Sequence, residues 1–594
     1  MKGAKWLVVW GALGGITVSV AQAQSEKIVF TGAGRSWLHH DRVAGALLDS
    51  SEVDGGWMPG DTVTPRRVMA GVALFDLGVI ARPDRATEIV AVTRVTSTLD
   101  GFWGQGVGFQ VRELYARGVI GGRIRYRVGD LDLRLTPYTL WNGNGDLGNR
   151  LPDLWRVWSD WVDYDRFQRD GFWRQQGLDV DAVLSSRFLD ELAVRGALTK
   201  QRTTDYFFQP DRLLGLAELK GQRGLWNGGY RMVSLFDVAP TAQFSTAAAS
   251  STVHSFDVQR KPSGAGRWTL GAEAGFSQTR FVDMAGAPEP GRDGFVEAWG
   301  RWTARDTTGA WRGVSWTIEA RRVGTGFRSP GAQSRRTDWA ANSSEWGFYT
   351  NQERVRPLTT VDLLQDPGVY RPTLSMGLQT YNPVFRNAMP YGAATPNRQG
   401  IAVAMRRDRP TEIFSFSELR LDWARELAGQ GIANLRNMAV LDGYTRLRLD
   451  RLYGGKRPFA WDLHLHAERT ERAGLTGLGE EMEGLGAIDW KQAWFAGGFN
   501  WQFQRDLGLQ FSLLTLRAQG TEYLAQRDVF DRIIDYRRHT ADLQERVLAA
   551  GLNYRFTDSI RLDLQYRALF RNDALLAAYD YQWSQWSLLY TLFF

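Results

Sequence analysis

Cysteine is absent from all 594 residues, which excludes structural disulfides and thiolate metal ligands. Histidine is scarce: His39, His40, His254, His464, His466 and His539 are the six, so imidazole chemistry has few places to occur. Past the N-terminal segment no stretch approaches the ~18 uncharged apolar residues of a membrane-crossing helix, and a helical transmembrane bundle is excluded. Basic residues form no tract. The sequence pI of about 9.4 therefore points to no nucleic-acid partner. No low-complexity linker divides the chain, which favours one large domain over the several its length alone suggests.

Aromatic residues are abundant, with 25 Trp, 19 Tyr and 30 Phe, and 64 Gly against 19 Pro suit many strands joined by turns. Mean hydropathy is −0.33. A wall in which only alternate residues meet lipid averages to the same value as a soluble protein. The N-terminus opens on the basic Met1-Lys2-Gly3-Ala4-Lys5, continues as an uncharged apolar run from Trp6 to Val20, and reaches the small-x-small site Ala21-Gln22-Ala23. That order describes a secretory signal peptide over residues 1–23, its apolar core too short to span a membrane. Removing Lys2 and Lys5 lowers the formal net charge of +7 to about +5.

Apolar and polar residues then alternate with the period of a strand, whose successive side chains point to opposite faces. Ile560, Leu562, Leu564, Tyr566, Ala568 and Phe570 alternate with Arg561, Asp563, Gln565 and Arg567. Leu548, Ala550, Leu552, Tyr554 and Phe556 precede them across the tight turn Thr557-Asp558-Ser559. Phe459, Trp461, Leu463 and Leu465 oppose Asp462, His464, His466 and Glu468. The same rule holds at Val296–Ala304 and Val314–Ala320. These runs are ~10–14 residues long and carry charges of both signs on one face, which fits a tilted membrane crossing better than a soluble sandwich.

The chain ends on Trp586, Leu588, Tyr590, Leu592 and Phe594 along one face, with Gln585, Ser587 and Thr591 on the other. This segment resembles the C-terminal targeting strand of Gram-negative outer-membrane β-barrels. Gln110–Arg117 followed by Arg123–Asp130 is similar in style to a strand pair of alginate-export and phosphate-selective porins. The resemblance implies the cell outer membrane, contact with its lipid and lipopolysaccharide, and insertion by the barrel-assembly machinery through the C-terminal strand. The expected fold is all-β: residues 24–594 as a single transmembrane antiparallel up-and-down β-barrel of about 16–22 strands, with long loops on one side.

The expected lumen-lining residues are Arg446, Arg448, Asp450, Asp462, His464, His466, Glu468, Arg561, Asp563 and Arg567. Arginines on such a wall can favour anions, but carboxylates share their faces, and cross-strand pairing that braces the wall is the stronger expectation. Asp462, His464, His466 and Glu468 project from one strand face, where at most two neighbours could share an ion. No metal, cofactor or catalytic residue is assigned. Ser251-x-x-His254 lacks the surroundings of a barrel hydrolase. Four irregular stretches stand out: 326–410, expected to be a loop that caps or constricts the pore, and the shorter Pro137–Phe172, Thr521–Gln544 and Trp37–Pro65. The last is too short for the plug of a TonB-dependent transporter. The expected function is a channel for passive or facilitated diffusion of small polar or anionic solutes, possible as a homo-oligomer. The alternative is a non-conducting barrel that docks or anchors an envelope or secretion assembly, and an outer-membrane hydrolase ranks last.

Overall fold

The computed structural model describes residues 27–45, 66–97, 107–140, 152–155, 157, 175–238, 241–243, 248–262, 267–282, 291–304, 309, 311–329, 331–332, 393–429, 432–476, 486–527, 533–575 and 580–594. Residues 1–23, expected to be a signal peptide, and most of 326–410 lie outside them. The strands are β1 Ile28–Ala44, β2 Arg66–Ala81, β3 Thr87–Ser97, β4 Val107–Ile120, β5 Ile124–Leu131 and β6 Gln175–Leu184. Next come β7 Glu191–Arg202, β8 Asp211–Arg223, β9 Trp226–Val238, β10 Ala248–Arg260, β11 Trp268–Val282 and β12 Gly291–Thr303. After them are β13 Val314–Val323, β14 Arg398–Asp408, β15 Phe414–Arg425, β16 Asn437–Arg448 and β17 Phe459–Arg472. The last five are β18 Ile488–Trp501, β19 Leu507–Arg527, β20 Ile533–Thr557, β21 Ile560–Asp573 and β22 Tyr581–Phe593.

Each strand pairs antiparallel with its neighbours in sequence, and β1 pairs with β22, closing a 22-stranded barrel. Closure removes the unpaired sheet edges that lipid could not satisfy. The count sits at the top of the expected range. Connections alternate in length around the rim. Residues 82–86, 121–123, 185–190, 224–225 and 558–559 are short, while 45–65, 132–174 and 324–397 join the opposite ends. The first described residue, Lys27, and Phe594 both lie at the short-turn end, the arrangement in which short turns face the periplasm and long loops face outward.

The strand period sorts the faces as the alternation predicts. Trp461, Leu465, Leu548, Leu552, Leu564, Phe570 and Trp586 are exposed on the outer face, whereas Asp563, Gln565, Arg567, Gln585 and Ser587 are buried on the inner one. Arg–carboxylate pairs brace the inner wall from strand to strand. Arg94 holds Asp76 through two bonds of 2.6 and 2.7 Å, and Arg212 holds Asp237 the same way. Arg231 reaches Glu218 at 2.7 Å, and Arg321 reaches Asp422 at 2.8 Å. Planar guanidinium matched to a carboxylate is the strongest such pairing.

Three expectations need correction. The loop expected over 326–410 contains β14, Arg398–Asp408, whose small alternation of Ala402 and Ala404 was too weak to read. Thr521–Gln544 is largely strand, because β19 and β20 pair with each other past the ends of β18 and β21, from Glu522↔His539 to Gln526↔Asp535. Beyond the lipid nothing imposes alternation there, while the ladder hydrogen bonds still form. Trp37–Pro65 begins inside β1, where Arg35, Trp37 and His39 point inward and mask the expected polarity.

Candidate functional site

The functional geometry centres on the chain that follows β5. That strand pairs with β4 only from Ile120↔Ile124 to Tyr115↔Gly129, then parts from β4 while pairing with β6 as far as Leu131↔Gln175, where it leaves the wall. Gly129 has φ 106°, and a Cβ there would lie 2.3 Å from the Leu114 carbonyl oxygen, so only glycine makes this departure. Asp130 occupies the gap: its Oδ2 accepts the Leu114 N–H at 2.6 Å, and its Oδ1 accepts from the Gln176 side chain at 3.0 Å. A wall amide that lost its strand partner is thereby satisfied.

Residues 131–140 then press on one arc of the inner wall. Leu131, Leu133 and Leu140 are buried against Ala197, Leu214, Leu216, Val233, Leu235 and Ala249 of β7–β10, with Leu135 packed beside them. The inner face is thus apolar here, against the polar rule of the lumen, and burying each leucine contributes roughly 1.5–3 kcal/mol. The chain turns at Thr136-Pro137-Tyr138-Thr139, where the Thr139 N–H donates to the Thr136 carbonyl at 3.1 Å. Thr136 Oγ1 donates to Glu273 of β11 at 2.7 Å. Tyr138 stacks flat on Phe295 of β12, with ring centroids 4.0 Å apart and 7° between planes. Burial pushes the Tyr138 phenol well above its ordinary range. Val253, Val323, Phe327, Ala332 and Ala394 complete this second cluster. The described ends of the β13–β14 connection therefore also sit inside the barrel.

Residues 152–155 press on a different arc. Arg446 of β16 donates to both Asp153 carboxylate oxygens, at 3.1 and 2.6 Å, and Asn500 of β18 donates to the same group at 2.8 Å. Trp155 is fully buried, and its indole N–H donates to Ser512 of β19 at 2.7 Å. The Gln565 side chain of β21 donates to the Leu154 carbonyl at 3.2 Å. The Arg567 guanidinium lies 5.9 Å from the Trp155 ring and 5.5 Å from the Trp583 ring. Gly498 and Gly551 supply sockets, since a Cβ on them would meet Pro152 at 2.6 Å and Leu154 at 3.5 Å. Residues 131–140 are thus tied to β7–β12, and residues 152–155 to β16–β21.

The expected lumen residues fall around this second arc. Arg446, Asp462, His464, His466, Glu468, Asp563 and Arg567 lie on the inner face, and Arg446 reaches the inward segment itself. Arg448 and Asp450 pair with each other at 2.8 and 2.7 Å beside the short turn, and Arg561 pairs with Asp563. The arginine partner lowers the Asp450 carboxyl. His464 and His466 both donate to one oxygen of Asp442, each at 3.0 Å. Asp442 escaped sequence reading although it shares strand parity with Arg446; the missing knowledge was the register that sets it opposite His466. Tyr444 donates to Asp462 at 2.7 Å, which joins this cluster to Arg446. Among the described residues no three His, Asp or Glu side chains converge as metal ligands. Ser251 points inward while His254 faces outward to Tyr230, so the two cannot act together.

No protein-family model matches the sequence, and no curated protein does. Solved structures overlap it loosely. OccK11 (OpdR) of Pseudomonas aeruginosa is 8% identical, with a TM-score of 0.37 over 95% of this chain and 96% of that one. A BenF-like porin from Pseudomonas fluorescens Pf-5 is 8% identical, with a TM-score of 0.34 over 96% and 99%. The P pilus usher (PapC) translocation pore is 9% identical, with a TM-score of 0.33 over 94% and 99%.

Proposed function

We propose that the chain is an outer-membrane, porin-like channel for diffusion of small polar solutes, narrowed from within by two described pieces of the β5–β6 connection, residues 132–140 and 152–155. The observation that carries this reading is these two inward pieces, each held by side chains of its own arc inside a closed wall. A barrel of this size encloses an aqueous lumen unless chain fills part of it. The apolar outer face and the paired charges of the inner face suit lipid outside and water inside. Because most inner arginines are matched to carboxylates, they brace the wall rather than select anions. In this reading Arg446 anchors the segment, Asp462, His464, His466 and Glu468 line the polar wall beside it, and Arg448, Asp450, Arg561 and Asp563 stabilise the short-turn mouth. The strand carrying Trp586, Leu588, Tyr590, Leu592 and Phe594 is the one the assembly machinery engages. The activity is transport, not catalysis.

A second reading, a closed barrel that anchors an envelope assembly, draws on the complete burial of Tyr138, Leu140 and Trp155. Swelling of proteoliposomes separates the two. A channel admits a pentose-sized solute faster than protein-free vesicles do and excludes a large oligosaccharide. Swelling no faster than in protein-free vesicles would remove the channel reading.

A further inference from the structure

Four consecutive strands each place one cation on the outer, lipid-facing side at a single height. Arg469 of β17, Lys491 of β18 and Arg517 of β19 are more than half exposed, and Arg546 of β20 is exposed beside Leu548. Arg469 and Arg517 stand ten positions after Phe459 and Leu507, where their strands begin at the short-turn end. Lys491 stands ten before Trp501, and Arg546 eleven before Thr557, where theirs finish at that same end. Ten residues at ~3.3 Å rise and ~40° tilt climb about 25 Å, the height of the apolar band of a membrane barrel. Beneath the row the outer face is apolar, with Trp461, Leu465, Trp501, Phe511, Leu548 and Leu552 exposed. The row therefore marks the upper edge of the band, on the long-loop side.

The register adds a second observation. Arg469 lies directly opposite Lys491 across the β17–β18 ladder, and the next rung outward sets Glu471 opposite Asp489. Like charges facing each other across a ladder are unfavourable. The pairs along each strand, Arg469 with Glu471 and Lys491 with Asp489 at 3.1 Å, offset this only in part, being solvent-exposed. Arg517 approaches Asp542 at 3.7 Å, and Arg546 has no ion pair among the described residues. The acidic groups of the β17–β18 rung stand farther from the apolar band than the cations, so an anion arriving from the membrane meets the cations first. With strands ~4.8 Å apart, the row spans about 14 Å, wider than one phosphate.

We propose that Arg469, Lys491, Arg517 and Arg546 form a docking row for a multiply phosphorylated lipid headgroup of the outer leaflet, its acyl chains lying on the apolar wall below. The proposal rests on the outer-membrane reading above, which supplies the lipid. The purified barrel in detergent, titrated with diphosphoryl lipid A and followed by native mass spectrometry, tests it. The quadruple variant R469Q/K491Q/R517Q/R546Q should bind at least tenfold more weakly, and inorganic pyrophosphate should not compete at equal concentration. Equal binding by the variant would overturn the row, and full competition by pyrophosphate would overturn the lipid as its source. Heat-modifiable gel mobility reports on the barrel separately. A parent chain that shows it but binds lipid A no better than the variant overturns the row alone, whereas a parent chain that lacks it overturns both readings.

Discussion

Planar bilayers holding the Asp153→Ala/Trp155→Ala variant pass several-fold more current at the same voltage than bilayers holding the parent chain. Asp153 receives three hydrogen bonds, two of them from the Arg446 guanidinium, and charge-assisted bonds contribute roughly 1.5–3 kcal/mol each. Truncating a buried aromatic such as Trp155 costs about 3–5 kcal/mol, and here it also removes the bond to Ser512. Without either anchor residues 152–155 keep only the Gln565 bond to the Leu154 carbonyl and the seating of Pro152 and Leu154 against Gly498 and Gly551. Residues 131–140 stay, because Leu131, Leu133, Leu140 and Tyr138 are untouched. Residues 152–155 should therefore loosen from the wall while residues 131–140 keep their place. Trp155→Phe keeps most of the buried area and should raise the current far less. Parental current in the double variant would mean that residues 152–155 do not narrow the path.

Gly32→Val should remove most of the folded, heat-modifiable form, lowering its fraction by more than tenfold. The barrel closes where the Gly32 N–H donates to the Phe594 carbonyl at 2.9 Å and the Phe594 N–H donates back at 3.1 Å. The Phe594 ring crosses over Gly32 to stack on Phe75, with centroids 5.9 Å apart. A Cβ on Gly32 would lie 2.2 Å from that ring and 2.7 Å from the Asp76 carbonyl oxygen. The ring cannot stay and the backbone cannot yield without opening the β1–β22 seam. An open seam leaves a row of amides and carbonyls facing lipid, which a membrane does not tolerate. Deleting Phe594 should act in the same direction by removing the seam's last two bonds. The comparison of boiled and unboiled samples on a denaturing gel reads both variants. A parental folded fraction for Gly32→Val would show that the terminal residue is not seated there.

Where lipid meets the wall, the fold was legible in the sequence. Leu564, Tyr566 and Phe570 alternate with Asp563, Gln565 and Arg567 because two solvents of opposite polarity touch the two faces of one strand. Legibility failed wherever a third environment intervened. On β8, Leu214 and Leu216 face inward, since the inward segment covers them and a dry contact prefers leucine. On β19 and β20 the ribbon past Thr521 stands beyond the lipid, so its alternation lapses while its pairing continues. Leu131-Asp132-Leu133-Arg134-Leu135 has a strand's alternation yet leaves the wall, and the only local sign is Gly129-Asp130 just before it. Of the candidate site, Arg446 and the His464–His466 strand were found from parity alone. Their partners Asp153 and Asp442 were not, because long-range contact and register are not written in local periodicity.

The claim on which everything else stands is that one face of each strand meets water and the next meets lipid. Thr317 and Ile318 are neighbours on β13, the first turned inward and the second exposed on the outer face. Since the chain has no cysteine of its own, Thr317→Cys and Ile318→Cys can be labelled singly in proteoliposomes. A hydrophilic maleimide should react with the cysteine at 317 and spare the one at 318, while a lipid-soluble reagent should do the reverse. Equal reaction at both positions, or the opposite order, would contradict the barrel with an aqueous interior.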